Sequence, residues 1–386
     1  MTFDPIYLDF NASTPPDPSV VAAMQAWLGS RHANPHAAHM AGQRAAAEID
    51  KAIFSIRKLI NASSGEILFT SGATESNNLA LFGAASSDPR STRVLCTKIE
   101  HKSVLEVTNK LELDGVTICP LGVDINGYIS LKCVTDILSE NKFNNTIVSV
   151  MHANNEIGTV QPIHKISKLK DKFNFLLHVD AAQSLGRLPL DVDEIGIDLL
   201  SFSAHKMYGP AGIGGLFVSK AAKRYLKPLL YGGGQQNGMR PGTLPVFLVA
   251  GFGVACEKAL DLMNADSRNT KQLAELFCDT LSSYGVSFRR ISPTHDGLPG
   301  LVCICLDEIE GDDLVLRVAP FLSISTGSAC SSREIRGSHV LREIGLGERE
   351  ARSVVRIGFG RSSTVSDATR AAAVIADAIR AQRDEQ

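Results

Sequence analysis

The chain has 386 residues, with 39 Lys and Arg against 41 Asp and Glu, a formal net charge of −2. Charged residues make up 21% and hydrophobic residues 44%. This balance excludes a disordered chain and lacks the basic excess of a nucleic-acid footprint. The length favours two domains over one or four.

From the N-terminus, Met1 to Phe10 carries Asp4 and Asp9 and has no basic-then-apolar pattern of a signal peptide. The longest apolar run, Leu244–Cys256, opens on Pro245 and falls short of the roughly 18 residues a bilayer-spanning helix needs. The expectation is a soluble, cytoplasmic protein with no membrane contact and no direct nucleic-acid contact. His32, His36 and His39 have no carboxylate or Cys at metal-ligand spacing, so no metal site is expected; a loop entering a helix at about His39 fits better.

Short apolar runs bounded by turn residues then alternate with helix-like stretches. The runs are Ile67–Thr70, Val94–Thr97, Val116–Cys119, Ile147–His152, Phe175–Val179, Leu199–Ser203 and Gly215–Val218. Thr74–Ala85, Ser103–Leu113 and Ile163–Phe173 read as helices between them. Continuous apolar strands separated by helices predict an α/β fold with a mostly parallel sheet covered on both faces. After Cys256 the rhythm changes. Lys258–Ser283 reads as a long helix, followed by short strands and a final helix over Ser366–Arg380. The expected division is a large domain over residues 16–257 and a smaller α+β domain made of 1–15 and 258–386.

Eight cysteines occur, with no CxxC pair. Most lie in apolar runs such as Leu301-Val302-Cys303-Ile304-Cys305 and read as small buried hydrophobes. Cys330 differs, because Ser325-Thr326-Gly327-Ser328-Ala329-Cys330-Ser331-Ser332 is polar and reads as an exposed loop.

Three features converge on one chemistry. Asp180 ends one apolar strand and Lys206 follows another; adjacent parallel strands would present both at their carboxyl ends, where open α/β sheets bind ligands. Thr70-Ser71-Gly72-Ala73-Thr74 closes a strand and opens a helix whose free amides suit a phosphate. Singly, each has a plainer reading: a salt bridge, a solvated loop residue, an ordinary helix cap. Together they suggest pyridoxal phosphate, with the phosphate on the helix, the Asp on the pyridinium nitrogen and the Lys on the aldehyde. Gly209, Gly212, Gly214 and Gly215 lead into a strand rather than a helix, so a dinucleotide fingerprint is not supported.

The sequence resembles the cysteine desulfurases, pyridoxal-phosphate enzymes of aminotransferase fold type I, nearly end to end. The motifs are Tyr7-Leu8-Asp9-Phe10-Asn11-Ala12, Asn34-Pro35, Ser71 to Asn78, Glu100-His101, Asn154 to Gly158, the Asp180 and Lys206 segments, Arg240-Pro241-Gly242-Thr243 and Gly327-Ser328-Ala329-Cys330. The resemblance implies that Lys206 is the Schiff-base lysine, Asp180 the pyridinium partner and Gln183 the donor to the phenolic oxygen. It implies that His101 stacks on the ring and moves protons. Ala73, Thr74, Ser203 and His205 match phosphate-binding positions, and Thr243 matches one that acts across a homodimer interface. Asn155 and Arg356 match substrate-holding positions. The reaction implied converts L-cysteine to L-alanine, with the sulfur left on Cys330 as a persulfide and passed to an acceptor protein. Iron–sulfur assembly, tRNA thiolation and DNA phosphorothioation are the pathways implied, and Arg240 to Val246 leans to the last. Gln236, Pro241 and Gly337 depart from the family pattern, where an acidic residue, a small hydroxyl residue and a Pro are frequent. The competing readings are a selenocysteine lyase or another fold-type-I lyase or transaminase, and a non-enzymatic sulfur-relay scaffold.

Overall fold

A computed structural model describes residues 5–29, 31–85, 88–140, 142–307, 309–326 and 337–384. The strands are β1 (Ile6–Tyr7), β2 (Glu66–Thr70), β3 (Thr92–Thr97), β4 (Thr117–Leu121), β5 (Asn145–Met151), β6 (Leu176–Asp180), β7 (Leu199–Ser203) and β8 (Gly214–Val218). Later come β9 (Phe288–Arg290), β10 (Leu301–Leu306), β11 (Leu322–Ser323), β12 (Ser325–Thr326) and β13 (Val354–Gly358). The helices are α1 (Pro18–Leu28), α2 (Met40–Leu59), α3 (Ala73–Ala85), α4 (Lys102–Leu113), α5 (Leu131–Leu138), α6 (Ile163–Ser167) and α7 (Val192–Ile195). They continue with α8 (Val246–Ser283), α9 (Gly311–Val318), α10 (His339–Glu343), α11 (Glu348–Arg352) and α12 (Val365–Asp384).

The central sheet runs β2-β8-β7-β6-β5-β3-β4, and only β8 opposes the common direction. The mostly parallel sheet expected from the sequence is therefore present. Its strands are continuously apolar because both faces are covered. Leu177, Val179, Leu200 and Phe202 join α1, α2 and the first part of α8 on one side. Leu176, Leu199 and Leu216 meet α3 and α4 on the other. Since side chains alternate along a strand, the polar residues Asp180 and Ser203 fall on the α3–α4 face.

A second, antiparallel sheet has the order β12-β13-β10-β9. It packs with α9, α12 and the end of α8 around Phe277, Val302, Ile304, Ile357 and Ile375. The N-terminal β1 pairs with β11 beside it.

Helix α8 begins at Val246, twelve residues before the expected Lys258. Pro245 occupies its N-cap rather than ending the helical stretch. Gly251 and Gly253, which weaken the helical pattern, are contact points: a Cβ on Gly253 would lie 2.9 Å from Ala52 Cα, and one on Gly251 2.7 Å from Met24 Cγ. Close packing of α8 on α1 and α2 thus outweighs the low helix propensity of glycine. Residue 257 falls within this helix, whose first half packs in one core and second half in the other.

The β7–β8 connection is a turn beside the cavity. A Cβ on Gly214 would stand 2.4 Å from Phe202 O and 2.7 Å from Gly72 Cα, so only glycine lets β8 approach the loop before α3. Among the described residues, no helix is long and apolar enough to cross a membrane, and no His, Cys, Asp and Glu group could hold a metal ion. His39 caps α2, its Nδ1 accepting the Gly42 amide at 3.2 Å.

Candidate active site

A cavity of about 600 Å³ opens at the carboxyl ends of the central strands. Asp180, Ser203, His205 and Lys206 line it from β6, β7 and the turn after β7. Ala73 and Thr74 enter from the start of α3, and His101 from the residue before α4. Gln183, Asn155 and Arg356 complete the set. Ten of the twelve residues expected in the site therefore share one cavity. Thr243 is exposed and does not line it, and Cys330 lies outside the described residues.

Asp180 ends a fully buried strand, where an ionised group needs partners. It has two: Asn77 Nδ2 donates to Oδ2 at 2.7 Å and the Ala182 amide to Oδ1 at 2.9 Å. Asn77, fully buried on α3, also donates to Ser103 Oγ at 2.9 Å. Ser103 Oγ lies 2.8 Å from His101 Nδ1, which accepts the Ser103 amide at 3.1 Å and so caps α4. One line of contacts thus runs from the Asp180 carboxylate to the His101 ring. Burial lowers the His101 pKa; Lys206, His339 and Lys102 lower it further, while Asp180 opposes them. The ring is neutral near pH 7 and able to take up a proton.

Lys206 Nζ donates to the main-chain oxygens of Asn11 at 2.9 Å and Ala12 at 2.7 Å. Gln183 Nε2 donates to the same Asn11 oxygen at 2.8 Å. His205 approaches Ser13 Oγ with Nδ1 at 3.2 Å, and burial together with Lys206 pushes it down to about 4. A neutral His205 can donate one N–H to an anion without bringing in a charge.

Arg356, on β13, is 4% exposed. Its Nη2 donates to Asp9 Oδ1 at 2.8 Å and its Nη1 to Asn155 O at 3.0 Å, while Nε has no protein partner. Asn11 is 1% exposed, lines the same cavity, and neither side-chain amide atom has a partner. Unpartnered buried donors and acceptors at a cavity wall are capacity reserved for a polar ligand. Asp9, Asn11, Asn77 and Ser103 were not assigned from sequence. Asp9, Asn11 and Asn77 lie inside the quoted motifs, but no local rule gives them a partner.

Pyridoxal phosphate fits this donor set. The start of α3 and Ser203 offer donors at one end for a dianion, the supported carboxylate of Asp180 suits a protonated ring nitrogen, and the Lys206 amine stands beside them.

The seven described cysteines are all free. Burial pushes Cys96 up to about 12 and Cys278 up to about 11, and raises Cys256 and Cys303 strongly. Such thiols stay neutral and are poor nucleophiles.

The profile of the class-V aminotransferases matches residues 6–370. The chain belongs to that family. It is 39% identical, over 93% of its length and 87% of the relative's, to a protein named cysteine desulfurase IscS from Rickettsia akari (strain Hartford). A solved structure described as a NifS-like protein superposes with a TM-score of 0.90 at 30% identity, covering 97% of this chain and 99% of that one. Another, described as SspA in complex with cysteine, has a TM-score of 0.81 at 36% identity, over 93% and 100% of the two chains. Within the class-V aminotransferases, this chain therefore stands with the cysteine desulfurases.

Proposed function

We propose that the protein is an L-cysteine desulfurase that binds pyridoxal phosphate through Ala73, Thr74, Ser203 and His205 at the phosphate, Asp180 and Gln183 at the ring, and Lys206 at the aldehyde. The observation that carries this reading is the hydrogen-bonded Asp180 carboxylate and the Lys206 amine at neighbouring strand ends, in one cavity with Arg356. The bound cofactor would supply an electron sink for the substrate's α-carbon. Arg356 and Asn155 hold the amino acid, the guanidinium taking its carboxylate in a bidentate grip. His101 covers the ring and holds a proton at its imidazole. Lys206 moves the α-proton.

Cys330 accepts the sulfur. Its thiolate attacks the substrate sulfur, an S–S bond forms and the substrate C–S bond breaks. The electron pair of that bond stays with the carbon, which takes a proton and leaves as alanine. The persulfide sulfur then passes to an acceptor protein. Burial disfavours the thiolate at six of the seven described cysteines, and Cys133 does not line the cavity. Free thiols and persulfide chemistry suit the reducing cytoplasm, where the protein is placed here.

The working unit is a homodimer in which Thr243 reaches the partner's phosphate site. Supporting this, Thr243 is exposed, while Arg240 of the same segment pairs with Glu75 in the first turn of α3, Nε to Oε1 at 2.8 Å. The division into residues 16–257 and a second unit of 1–15 with 258–386 is kept as the domain proposal.

The experiment is cofactor-loaded protein given L-cysteine, with alanine and sulfide measured beside the visible absorbance of the bound cofactor. Lys206→Ala is expected to lose the absorbance and alanine formation together. Cys330→Ala is expected to keep the absorbance and lose sulfur transfer. Near-normal turnover in Cys330→Ala would instead favour a lyase that needs no enzyme thiol.

A further inference from the structure

Two serines flank residues 327–336, the stretch that bears Cys330, and each donates to a carboxyl group: Ser325 to Asp9, which lines the cavity, and Ser338 to Glu156, next to the cavity residue Asn155. Ser325, 6% exposed on β12, donates from Oγ to Asp9 Oδ2 at 2.5 Å. Ser338, 5% exposed before α10, donates from Oγ to Glu156 Oε2 at 2.5 Å. Neither carboxylate is an isolated surface group. Asp9 uses its other oxygen, Oδ1, to hold Arg356 Nη2 at 2.8 Å. Glu156 follows Asn155, whose carbonyl holds Arg356 Nη1 at 3.0 Å. Ser325 also stands opposite Arg356 in the β12–β13 register. His339 adds a contact at the second end, its Nε2 lying 3.0 Å from Glu100 O, next to His101.

We propose that Ser325 with Asp9, and Ser338 with Glu156, are positioning residues for sulfur transfer, tying the residues on either side of the Cys330-bearing stretch to Asp9, which holds Arg356, and to Glu156, the neighbour of Asn155, whose carbonyl holds it. The inference rests on the desulfurase reading above. Serine suits the task because its hydroxyl has one short rotatable arm, so a bond to a fixed carboxylate fixes the main chain behind it. A buried hydroxyl without such a partner is costly, which makes each tie definite. The arrangement also gives one carboxylate two duties. Asp9 cannot move to follow the Arg356 side chain without drawing on Ser325, so Arg356 and the strand that leads into the cysteine-bearing stretch are coupled through one carboxylate. Placement to within a fraction of an ångström is what an attack by Cys330 on a held sulfur demands.

The test separates sulfur transfer from substrate binding. Cofactor-loaded wild type, Ser325→Ala, Ser338→Ala and Ser338→Thr are mixed with L-cysteine and quenched by alkylation, and persulfide on the Cys330 peptide is followed by mass. L-alanine affinity is read from the visible spectrum of the bound cofactor. Without cofactor, the alkylation rate of Cys330 is compared with that of Cys133 in the same protein. Losing one hydrogen bond to a carboxylate is expected to slow persulfide formation about tenfold in each alanine variant. Ser338→Ala should keep its L-alanine affinity within about twofold, and Ser338→Thr should restore the rate, since the hydroxyl returns. In the cofactor-free protein the Cys330 to Cys133 alkylation ratio should change in both alanine variants and return with Ser338→Thr. Persulfide formation at the wild-type rate in both alanine variants overturns the proposal. Wild-type protein that never forms the Cys330 persulfide overturns the desulfurase reading and this one with it, and is recognised because the failure precedes any substitution.

Discussion

At the central sheet, Asp180 is held by an amide side chain and a main-chain N–H, with no cation bonded to it among the described contacts. Across the cavity, Arg356 of the four-stranded sheet is held by the Asp9 carboxylate and a carbonyl. The first arrangement leaves a carboxylate dressed only by neutral donors, ready for a cationic ring nitrogen. The second keeps a guanidinium in place through one ion pair while its Nε stays without a protein partner. The proposed cofactor wall and the proposed substrate wall are thus built by different means. Asp180 is supported by helix α3 and by the turn that follows its own strand, and Arg356 by residues 347 and 201 positions away.

The comparison breaks first at Arg356. Arg356→Lys keeps the charge but loses the planar fork, so KM for L-cysteine is expected to rise roughly 10- to 100-fold with the cofactor spectrum unchanged. An unchanged KM would mean that this wall does not grip the substrate. Asn77→Ala acts on the other wall. It removes one of the two donors to Asp180 and is expected to lower kcat/KM about tenfold and weaken cofactor retention on desalting, with KM little affected. If both variants raised KM alone, the two walls would not have separate duties.

Protonation draws a smaller distinction within the central sheet. Burial pushes His152 and His178 down to about 4. Below about pH 6.5 the unfolded chain takes up their protons first, so stability falls as pH drops through about 4, by roughly 3 kcal/mol per imidazole at the limit. Glu100, fully buried with Oε1 accepting from Thr97 Oγ1 at 2.5 Å and the Met151 amide at 3.0 Å, is pushed up to about 8. Its sign is opposite: stability falls as pH rises from about 4.5 through 8. Melting curves should therefore show Glu100→Gln raising Tm at pH 8 relative to wild type more than at pH 5. A smaller effect accompanies Gln236, whose amide bonds both the N–H of Phe69 at 2.7 Å and its carbonyl at 3.0 Å on the edge strand β2. Gln236→Glu keeps the acceptor and loses the donor, so it should cost about 1 kcal/mol in thermal unfolding. This edge pairing also gives the departure at position 236 a structural meaning.

Much of the cofactor wall was legible in the sequence. Asp180 and Lys206 sit where apolar strands end, and Ala73 and Thr74 where a strand turns into a helix, so local rules find them. The period of two even places Asp180 and Ser203 on one face. The substrate wall was not legible in the same way. Nothing local to Asp9, Ser325 or Arg356 reveals that the segment after β1 meets β12 and β13, because register between distant strands is set by tertiary packing. Asn77 looked like any polar residue early in a helix, and only the partner at Asp180 gives it a role. The start of α8 was misplaced for a related reason: Pro245, Gly251 and Gly253 weaken a helix locally, while close packing of Gly251 on α1 and Gly253 on α2 stabilises it. Cys330 is singled out by the polar sequence around it, and burial disfavours the thiolate at six of the seven described cysteines.

The central claim is that sulfur leaves cysteine for Cys330. Its most direct measurement is peptide mass spectrometry of the cofactor-loaded protein after a single turnover with L-cysteine. The account predicts one added sulfur on the Cys330 peptide, alanine in equal amount, and no added sulfur on the other seven cysteines. Added sulfur at another cysteine, or alanine formed at the wild-type rate by Cys330→Ala, would contradict it.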